Sequence, residues 1–277
     1  MVYIVLCIVL ILAFLFFIYY LMITPRVLGR PDESIFSQKF FAHRGLHDNQ
    51  SVAPENSMAA FKRAVEAGYG IELDVQLSKD RIPIVFHDED LERVCGQKGK
   101  VRDYTFEELQ KFPLCNSDER IPKFQDVLQL INGRVPLIIE IKIHEDYKKV
   151  CKLADQVLKL YQGAYCMESF HTGALFWYRM HRKGVIRGQL SSDFYKEIHR
   201  LDIPSFMVHH LLLNFVGKPD FVAYNHLYKK VREREICFHF FKIKAAAWTI
   251  KSSQELKEAK NDFDVFIFEG FLPEQET

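Results

Sequence analysis

Residues 70–88 read GIELDVQLSKDRIPIVFHD. The two halves, 70–78 and 83–88, are short, apolar and rich in β-branched residues, as strands are. Only Lys79 to Ile82 separates them. A parallel crossover needs a dozen or more residues, so no helix fits between them. The two runs are expected to form a hairpin turning near Lys79-Asp80-Arg81. In such a hairpin, residues whose numbers sum to about 159 face each other, which sets Glu72 opposite His87.

From Lys39 onward, short apolar runs alternate with amphipathic stretches, the pattern of repeated strand–helix units. Candidate strands cover 40–45, 135–142, 164–170, 185–190, 220–225, 244–250 and 265–269 besides the hairpin arms. Candidate helices cover 57–67, 105–111, 124–131, 145–161, 172–181 and 254–260. Ser57 and Thr105 read as N-caps, and Gly68 as the glycine that ends a helix. The strands number one more than an eight-stranded barrel needs. With the second hairpin arm set aside, the remainder closes a TIM-like (β/α)8 barrel, a fold for which a length of roughly 250 residues is ordinary.

Residues 2–23 contain no charged side chain and consist mostly of Ile, Val, Leu and Phe. About 20 apolar residues cross a bilayer. A cleaved signal peptide would carry a basic start, a shorter apolar run and a small-residue cleavage site. This stretch has no Lys or Arg, and Tyr19-Tyr20-Leu21-Met22 offers no such site. It is read as a retained single-pass anchor in the cell membrane, touching membrane lipid. Arg26 and Arg30 follow it, and the positive-inside rule then sets the rest of the chain on the cytoplasmic side. The expected organisation is an anchor over 1–23, a linker over 24–38 containing Pro25, Gly29 and Pro31, and a barrel domain over 39–277.

A formal net charge of +1 over 277 residues makes no electrostatic case for a nucleic-acid partner. The six cysteines contain no C-x-x-C pair, which disfavours a thiolate zinc site or a redox motif. Nothing in the sequence bears on oligomeric state.

Barrel active sites lie at strand ends. The first strand ends in His43-Arg44-Gly45, and the second carries Glu72 and Asp74, two residues apart and so on one face. His87-Asp88 follows, then Glu140 and Lys142, again sharing a face. Pro54-Glu55-Asn56 lies in the loop after the first strand. Glu55, Glu72, Asp74 and Glu140 converging on one point would repel and stay partly protonated. A hard divalent cation, Ca²⁺ or Mg²⁺, resolves this with oxygen ligands. His43 and His87 suit general acid–base work. Arg44 and Lys142 supply positive charge for an anionic group, the Arg fork being well shaped for phosphate. A metal, an acid–base pair and a phosphate clamp together describe a phosphodiesterase site. Each motif alone has a bland reading: a solvated strand face, a capping pair, an edge ion pair worth under about 1 kcal/mol.

Taken together, His43-Arg44-Gly45, Pro54-Glu55-Asn56, Glu72-Leu73-Asp74, His87-Asp88 and Glu140-Ile141-Lys142 resemble the glycerophosphodiester phosphodiesterase family. Leu91-Glu92-Arg93, Lys98-Gly99-Lys100-Val101, Phe106-Glu107-Glu108-Leu109, Ser169-Phe170 and Trp248-Thr249-Ile250 extend the resemblance from about Phe40 to the end. The resemblance implies a TIM barrel with a divalent ion on Glu55, Glu72, Asp74 and Glu140. It implies His43 and His87 as catalytic histidines, Arg44 and Lys142 at phosphate-contacting positions, and Phe170 and Trp248 along the substrate cleft. The implied reaction is hydrolysis of a glycerophosphodiester to glycerol 3-phosphate and an alcohol. A lysophospholipid substrate, cleaved in lysophospholipase D fashion, and a catalytically silent phosphodiester-binding barrel are the alternatives. The final strand departs from the family, ending Phe268-Glu269-Gly270 where Asp and then Pro are common. The apolar segment 201–215 is read as a core helix, with a substrate lid or a membrane-facing helix as alternatives. His209 and His210 are adjacent, diverge on a helix and make a poor metal pair.

Overall fold

The computed structural model describes residues 1–274. The strands are β1 Phe40–Ala42, β2 Gly70–Leu77, β3 Pro83–Val85, β4 Leu137–Ile141, β5 Tyr165–Ser169, β6 Ile186–Ser191, β7 Phe221–Asn225, β8 Lys244–Ile250 and β9 Val265–Phe268. All but β3 are parallel, and β1 pairs with both β9 and β2, so the eight parallel strands close into a TIM barrel with helices outside. Helices such as Met58–Glu66, Phe124–Ile131, Tyr147–Leu158 and Thr172–His181 return the chain between strands. Ser57 caps the first by accepting from Ala60 N, and Thr105 forms a capping box with Glu108.

β3 is antiparallel to β2, as the short connection requires. The register, however, differs from expectation by one residue. Val75 faces Val85 and Leu77 faces Pro83, so partner numbers sum to 160. Arg81 adopts a left-handed backbone with φ of 66°, and Arg81 N donates to Ser78 O. This makes a three-residue loop, a turn followed by a left-handed residue, and an odd loop forces an even sum. One step of register moves every side chain to the other face, so Glu72 and His87 are not cross-strand partners. β3 occupies the edge of β2 above the point where β1 has ended.

The barrel interior is apolar at its N-terminal end, filled by Phe41, Ile138, Cys166, Ile186, Phe221 and Val265 among others. The other strand faces pack against the helices in a second, larger core. Residues 84–121 enclose a third core around Phe86, Val94, Leu109 and Ile121, folded over the β2 side of the mouth.

The stretch read as a linker is fixed to the barrel. Ile35 and Phe36, on a short turn of 3-10 helix at Ser34–Ser37, are buried in the barrel's inner core. The Phe36 ring meets Phe221 edge-on, centroids 5.2 Å apart. A chain beginning at Lys39 is therefore expected to lose about 3–5 kcal/mol of stability relative to one beginning at Asp32, the range for deleting a buried Phe. Urea unfolding of the two truncations measures this.

Residues Val2–Ile23 form one 22-residue helix, α1, long and apolar enough to cross a membrane. Its last turn docks on the barrel through Ile23 O, which accepts from Asn214 Nδ2, and Tyr19, whose hydroxyl donates to Glu233. The segment 201–215 is not the core helix expected. It breaks into short helices, Ile203–His209 and Asn214–Gly217, that leave Leu201, Ile203 and Phe206 exposed. Asp202 caps the first of them and Leu211 takes a left-handed conformation between them, interrupting any longer helix.

Candidate active site

The site is assembled at the C-terminal mouth of the barrel, where parallel strands end and side chains from different strands converge. Asp74 on β2 lies in register with Glu140 on β4, and Glu140 with Glu168 on β5. Residues in register on neighbouring parallel strands point the same way, so a row of carboxylates lines one layer of the barrel. Glu72 lies two residues before Asp74 on the same face. Oxygens of Glu72, Asp74 and Glu140 come within 4.8 Å of one another, and all three residues are buried.

Electrostatics follow from that crowding. Burial, and then the charges of Asp74, Glu168 and Glu140, push the Glu72 carboxyl well above its ordinary range. Burial also raises Glu140, against the pull of Lys142. For Glu168, burial and Glu140 act in the same upward direction. Burial works to raise Asp74 too, but Lys142, His87, Arg44 and a hydrogen bond from Asn56 Nδ2 outweigh it and hold it low. Lys142 Nζ donates to Glu140 at 2.8 Å and pairs with Asp74 at 3.2 Å. Glu168 Oε2 is buried with no hydrogen-bond partner. Buried orphan oxygens are costly. Carboxylates that must otherwise hold protons, with an orphan oxygen among them, suit a hard divalent cation.

Glu55 stands apart from this cluster. Its carboxylate is held by Arg44 Nη1 at 2.6 Å, by Arg93 through two bonds of 2.7 Å, and by Asn49. Burial opposes its charge, but Arg93 first and then Arg44 keep it far below the usual carboxylate range. Arg44 links the two groups, because its Nε lies 3.5 Å from Asp74. Local backbone aims these residues. Arg44, Gly45 and Asn56 all have positive φ, and a Cβ on Gly45 would lie 2.9 Å from the Ala60 carbonyl carbon. Both expected phosphate contacts, Arg44 and Lys142, are thus engaged with site carboxylates.

The histidines share one arrangement. His43 Nδ1 is 2.5 Å from Glu269 Oε2, and Glu269 also pairs with Lys251 at 3.0 Å. His87 Nδ1 is 2.6 Å from Asp88 Oδ1, and Asp88 is gripped by Arg93. In each, the carboxylate takes Nδ1 and leaves Nε2 for the site, and His43 Nε2 lies 3.9 Å from Glu72. Burial, then the charge of Arg44, presses the His43 pKa down to about 4, with Glu269 opposing. Burial raises Asp88, but His87 and Arg93 hold it at about 2.

Phe170, just past β5, and Trp248, on β8, pack edge to face with centroids 5.6 Å apart above the inner core. A cavity of about 550 Å³ runs from Glu140 and Lys142 past Phe170 and Phe194 to Pro204 and Val208. Segment 201–215 therefore forms one wall of this cleft.

Sequence reading missed Glu168, Glu269 and Arg93. Glu168 was within reach, since it sits at a strand end like Glu140. Glu269 was visible only as a departure from the usual ending of the last strand. Nothing in sequence spacing pairs Arg93 with Glu55.

Comparison with known proteins agrees with this geometry. The chain is 38% identical over 149 residues to a glycerophosphodiester phosphodiesterase of Bacillus altitudinis, covering 50% of this chain and 60% of that protein. It is 48% identical over 109 residues to one from Caldanaerobacter subterraneus, covering 36% and 44%. The chain thus spans about half the length of these curated relatives. In fold it is similar to an Oleispira antarctica phosphodiesterase solved in complex with the product sn-glycerol-3-phosphate, with a TM-score of 0.67 and 22% identity over 83% of this chain and 92% of that one. The sequence model of the glycerophosphoryl diester phosphodiesterase family matches residues 43–261, from the first of the two histidines through the barrel to the threshold of its last strand, and the chain belongs to that family.

Proposed function

We propose that this protein hydrolyses glycerophosphodiesters to sn-glycerol 3-phosphate and an alcohol. The observation that carries this reading is a pair of imidazoles, each backed by a carboxylate on Nδ1, beside a buried carboxylate cluster flanked by Arg44 and Lys142. The names of the relatives, and the product held by the Oleispira enzyme, support it.

Glu72, Asp74 and Glu140 would hold a divalent cation, Ca²⁺ or Mg²⁺, and Glu55 would become a further ligand on releasing Arg44 and Arg93. Bound there, the ion supplies positive charge that polarises the phosphoryl group. With Nδ1–H donated to Glu269, His43 keeps a lone pair on Nε2, and a depressed pKa keeps the ring neutral. His43 is assigned as the base that takes the proton of the attacking oxygen, either water or the glycerol 2-hydroxyl; in the second case a cyclic phosphate forms first and water then opens it to glycerol 3-phosphate. His87, oriented by Asp88, gives a proton to the leaving alkoxide as its bond to phosphorus breaks. Arg44 and Lys142 face the phosphate oxygens. Phe170 lines the cleft with Trp248 packed edge-on against its ring, and both are assigned to contact the substrate.

The apolar extension of the cleft, with Phe170, Phe194, Val208 and Leu213 along it, favours a second substrate class, lysophospholipids. Turnover of soluble diesters with none of lysophospholipids in mixed micelles would remove it. α1 is assigned as a single-pass anchor of the cell membrane, with the barrel on the cytoplasmic side, on the basis of its length and the arginines that follow it.

The test is release of glycerol 3-phosphate from a panel of glycerophosphodiesters with Ca²⁺, Mg²⁺ or EDTA. Release should need a divalent ion and stop with EDTA. A folded protein that cleaves neither these diesters nor lysophospholipids under any of these conditions would favour a phosphodiester-binding barrel.

A further inference from the structure

At the end of the barrel opposite the catalytic mouth, the chain leaves α1 beside a second cavity of about 520 Å³. Five cations line it: Arg26, Arg179, Lys183, Arg187 and Lys218. The carboxylate facing them is the buried Asp220, 3.6 Å from Arg26 and 4.0 Å from Arg187 Nη1, with Glu33 acting on Asp220 from nearby. Arg187 is 2% exposed, and its Nη1 makes no hydrogen bond. No bond from Lys183 Nζ to a carboxylate occurs among the described residues. Burial, and then Arg26 and Arg179, press the Arg187 pKa down to about 10 against the pull of Asp220. Burial and Arg179 lower Lys218 in the same way. Five cations line the cavity and one buried carboxylate pairs with two of them, so the pocket keeps positive charge and favours an added anion.

Its position says where that anion comes from. Lys218 Nζ donates at 3.0 Å to the carbonyl of Thr24, the residue that follows α1. Arg26 donates to Lys183 O at 2.9 Å, tying the root of the helix to the pocket wall. Beside the cations, Leu28 is 86% exposed and Met180 56% exposed, and both also line the cavity. Cations at the foot of an apolar helix with exposed apolar side chains among them match the boundary between phosphate headgroups and acyl chains.

We propose that this pocket binds the phosphate of an anionic phospholipid in the leaflet that α1 enters, fixing the barrel against the membrane surface. The proposal rests on the reading of α1 as a membrane span. Arg forks and Lys ammonium groups meet phosphate oxygens with charge-assisted hydrogen bonds, and Leu28 and Met180 lie against the first acyl carbons.

The test uses the full chain in a non-ionic detergent. Short-chain phosphatidylglycerol, phosphatidylcholine and inorganic phosphate are titrated separately, with binding read by native mass spectrometry. Phosphatidylglycerol should bind saturably and at least about tenfold more tightly than phosphatidylcholine. Inorganic phosphate should not displace it at equal concentration. Lys183→Glu should weaken phosphatidylglycerol binding by about tenfold, and Lys183→Arg should restore it, with melting temperature unchanged because Lys183 is exposed. Equal binding of the two lipids, an unaffected Lys183→Glu variant, or full displacement by inorganic phosphate would overturn the proposal. Resistance of the protein to alkaline carbonate extraction from membranes reports on the span separately, so failure of the anchor and failure of the pocket are told apart.

Discussion

His43→Ala is expected to lower kcat for glycerophosphodiester hydrolysis by about 10²–10⁴-fold, the usual contribution of a positioned acid–base group. KM should change much less, because the Arg44 and Lys142 contacts proposed for phosphate remain. Glu269→Gln should give a smaller loss, also in kcat. Its carboxylate touches no substrate atom in this assignment and acts by holding Nδ1–H, 2.5 Å away, which keeps the Nε2 lone pair directed into the site. The pH profile carries a second signature. His43 is held down to about 4 by burial and by Arg44, so it stays neutral, and competent as a base, through most of the acid range. The loss of rate on acidification that belongs to His43 should therefore fall well below pH 6.5. The same shift affects stability. Between pH 6.5 and about 4 the unfolded chain binds a proton at this ring that the folded chain does not. The contribution of His43 to stability is thus present above pH 6.5 and falls as pH drops through that window. Steady-state kinetics and urea unfolding across pH check both. A His43→Ala variant with native stability and unchanged kcat would remove His43 from the mechanism.

Glu72→Gln is expected to separate the fold from the ion. In the ion-free chain burial and three neighbouring carboxylates keep Glu72 protonated, and glutamine has nearly the shape of a protonated glutamate. The variant should therefore unfold at a temperature close to that of the ion-free parent. A group whose folded pKa is raised contributes stability below its unfolded pKa and loses that contribution as pH rises through the folded value. The parent without a cation should accordingly lose stability toward alkaline pH, and Glu72→Gln should lose less. Adding Ca²⁺ or Mg²⁺ should then raise the melting temperature of the parent, since a ligand that binds only the folded state stabilises it. The variant should show little response, and turnover should fall by at least about 10²-fold, as when a main electrostatic contributor to the transition state is lost. Differential scanning calorimetry with and without EDTA, beside the activity assay, reads all of this. An equal cation-induced shift in parent and variant would exclude Glu72 as a ligand.

Much of this site follows from chain-local rules. Glu72 and Asp74, or Glu140 and Lys142, share a face because side chains alternate along a strand. The hairpin of β2 and β3 follows from a connection too short for any crossover. Its register does not follow in the same way. The loop conformation that sets it is stabilised from a distance, by Asp80 Oδ1 accepting from Phe106 N and by Lys79 N donating to Tyr104 O. Glu55 was legible as a carboxylate near the site, but its grip by Arg93 comes from the folded excursion over the mouth, which brings together residues 38 positions apart. Phe36 looked like part of a short linker because Pro25, Gly29 and Pro31 place turn signals just before it. Only a closed barrel presents the apolar bottom that buries it.

By itself the sequence determined the number and order of the strands, the apolar N-terminal helix and the carboxylates that alternate onto one face. These depend on periodicity, on connection length and on the absence of charge over a membrane-length run, all of which are local properties. The tertiary structure alone decided which strand ends become neighbours. Glu269 reaches His43 across 226 residues because β1 pairs with β9 when the barrel closes. Glu168 joins Glu140 because parallel register aligns β5 with β4. Closure of a sheet is a cooperative property of all its strands, so the partners it creates leave no mark in the spacing of any one segment.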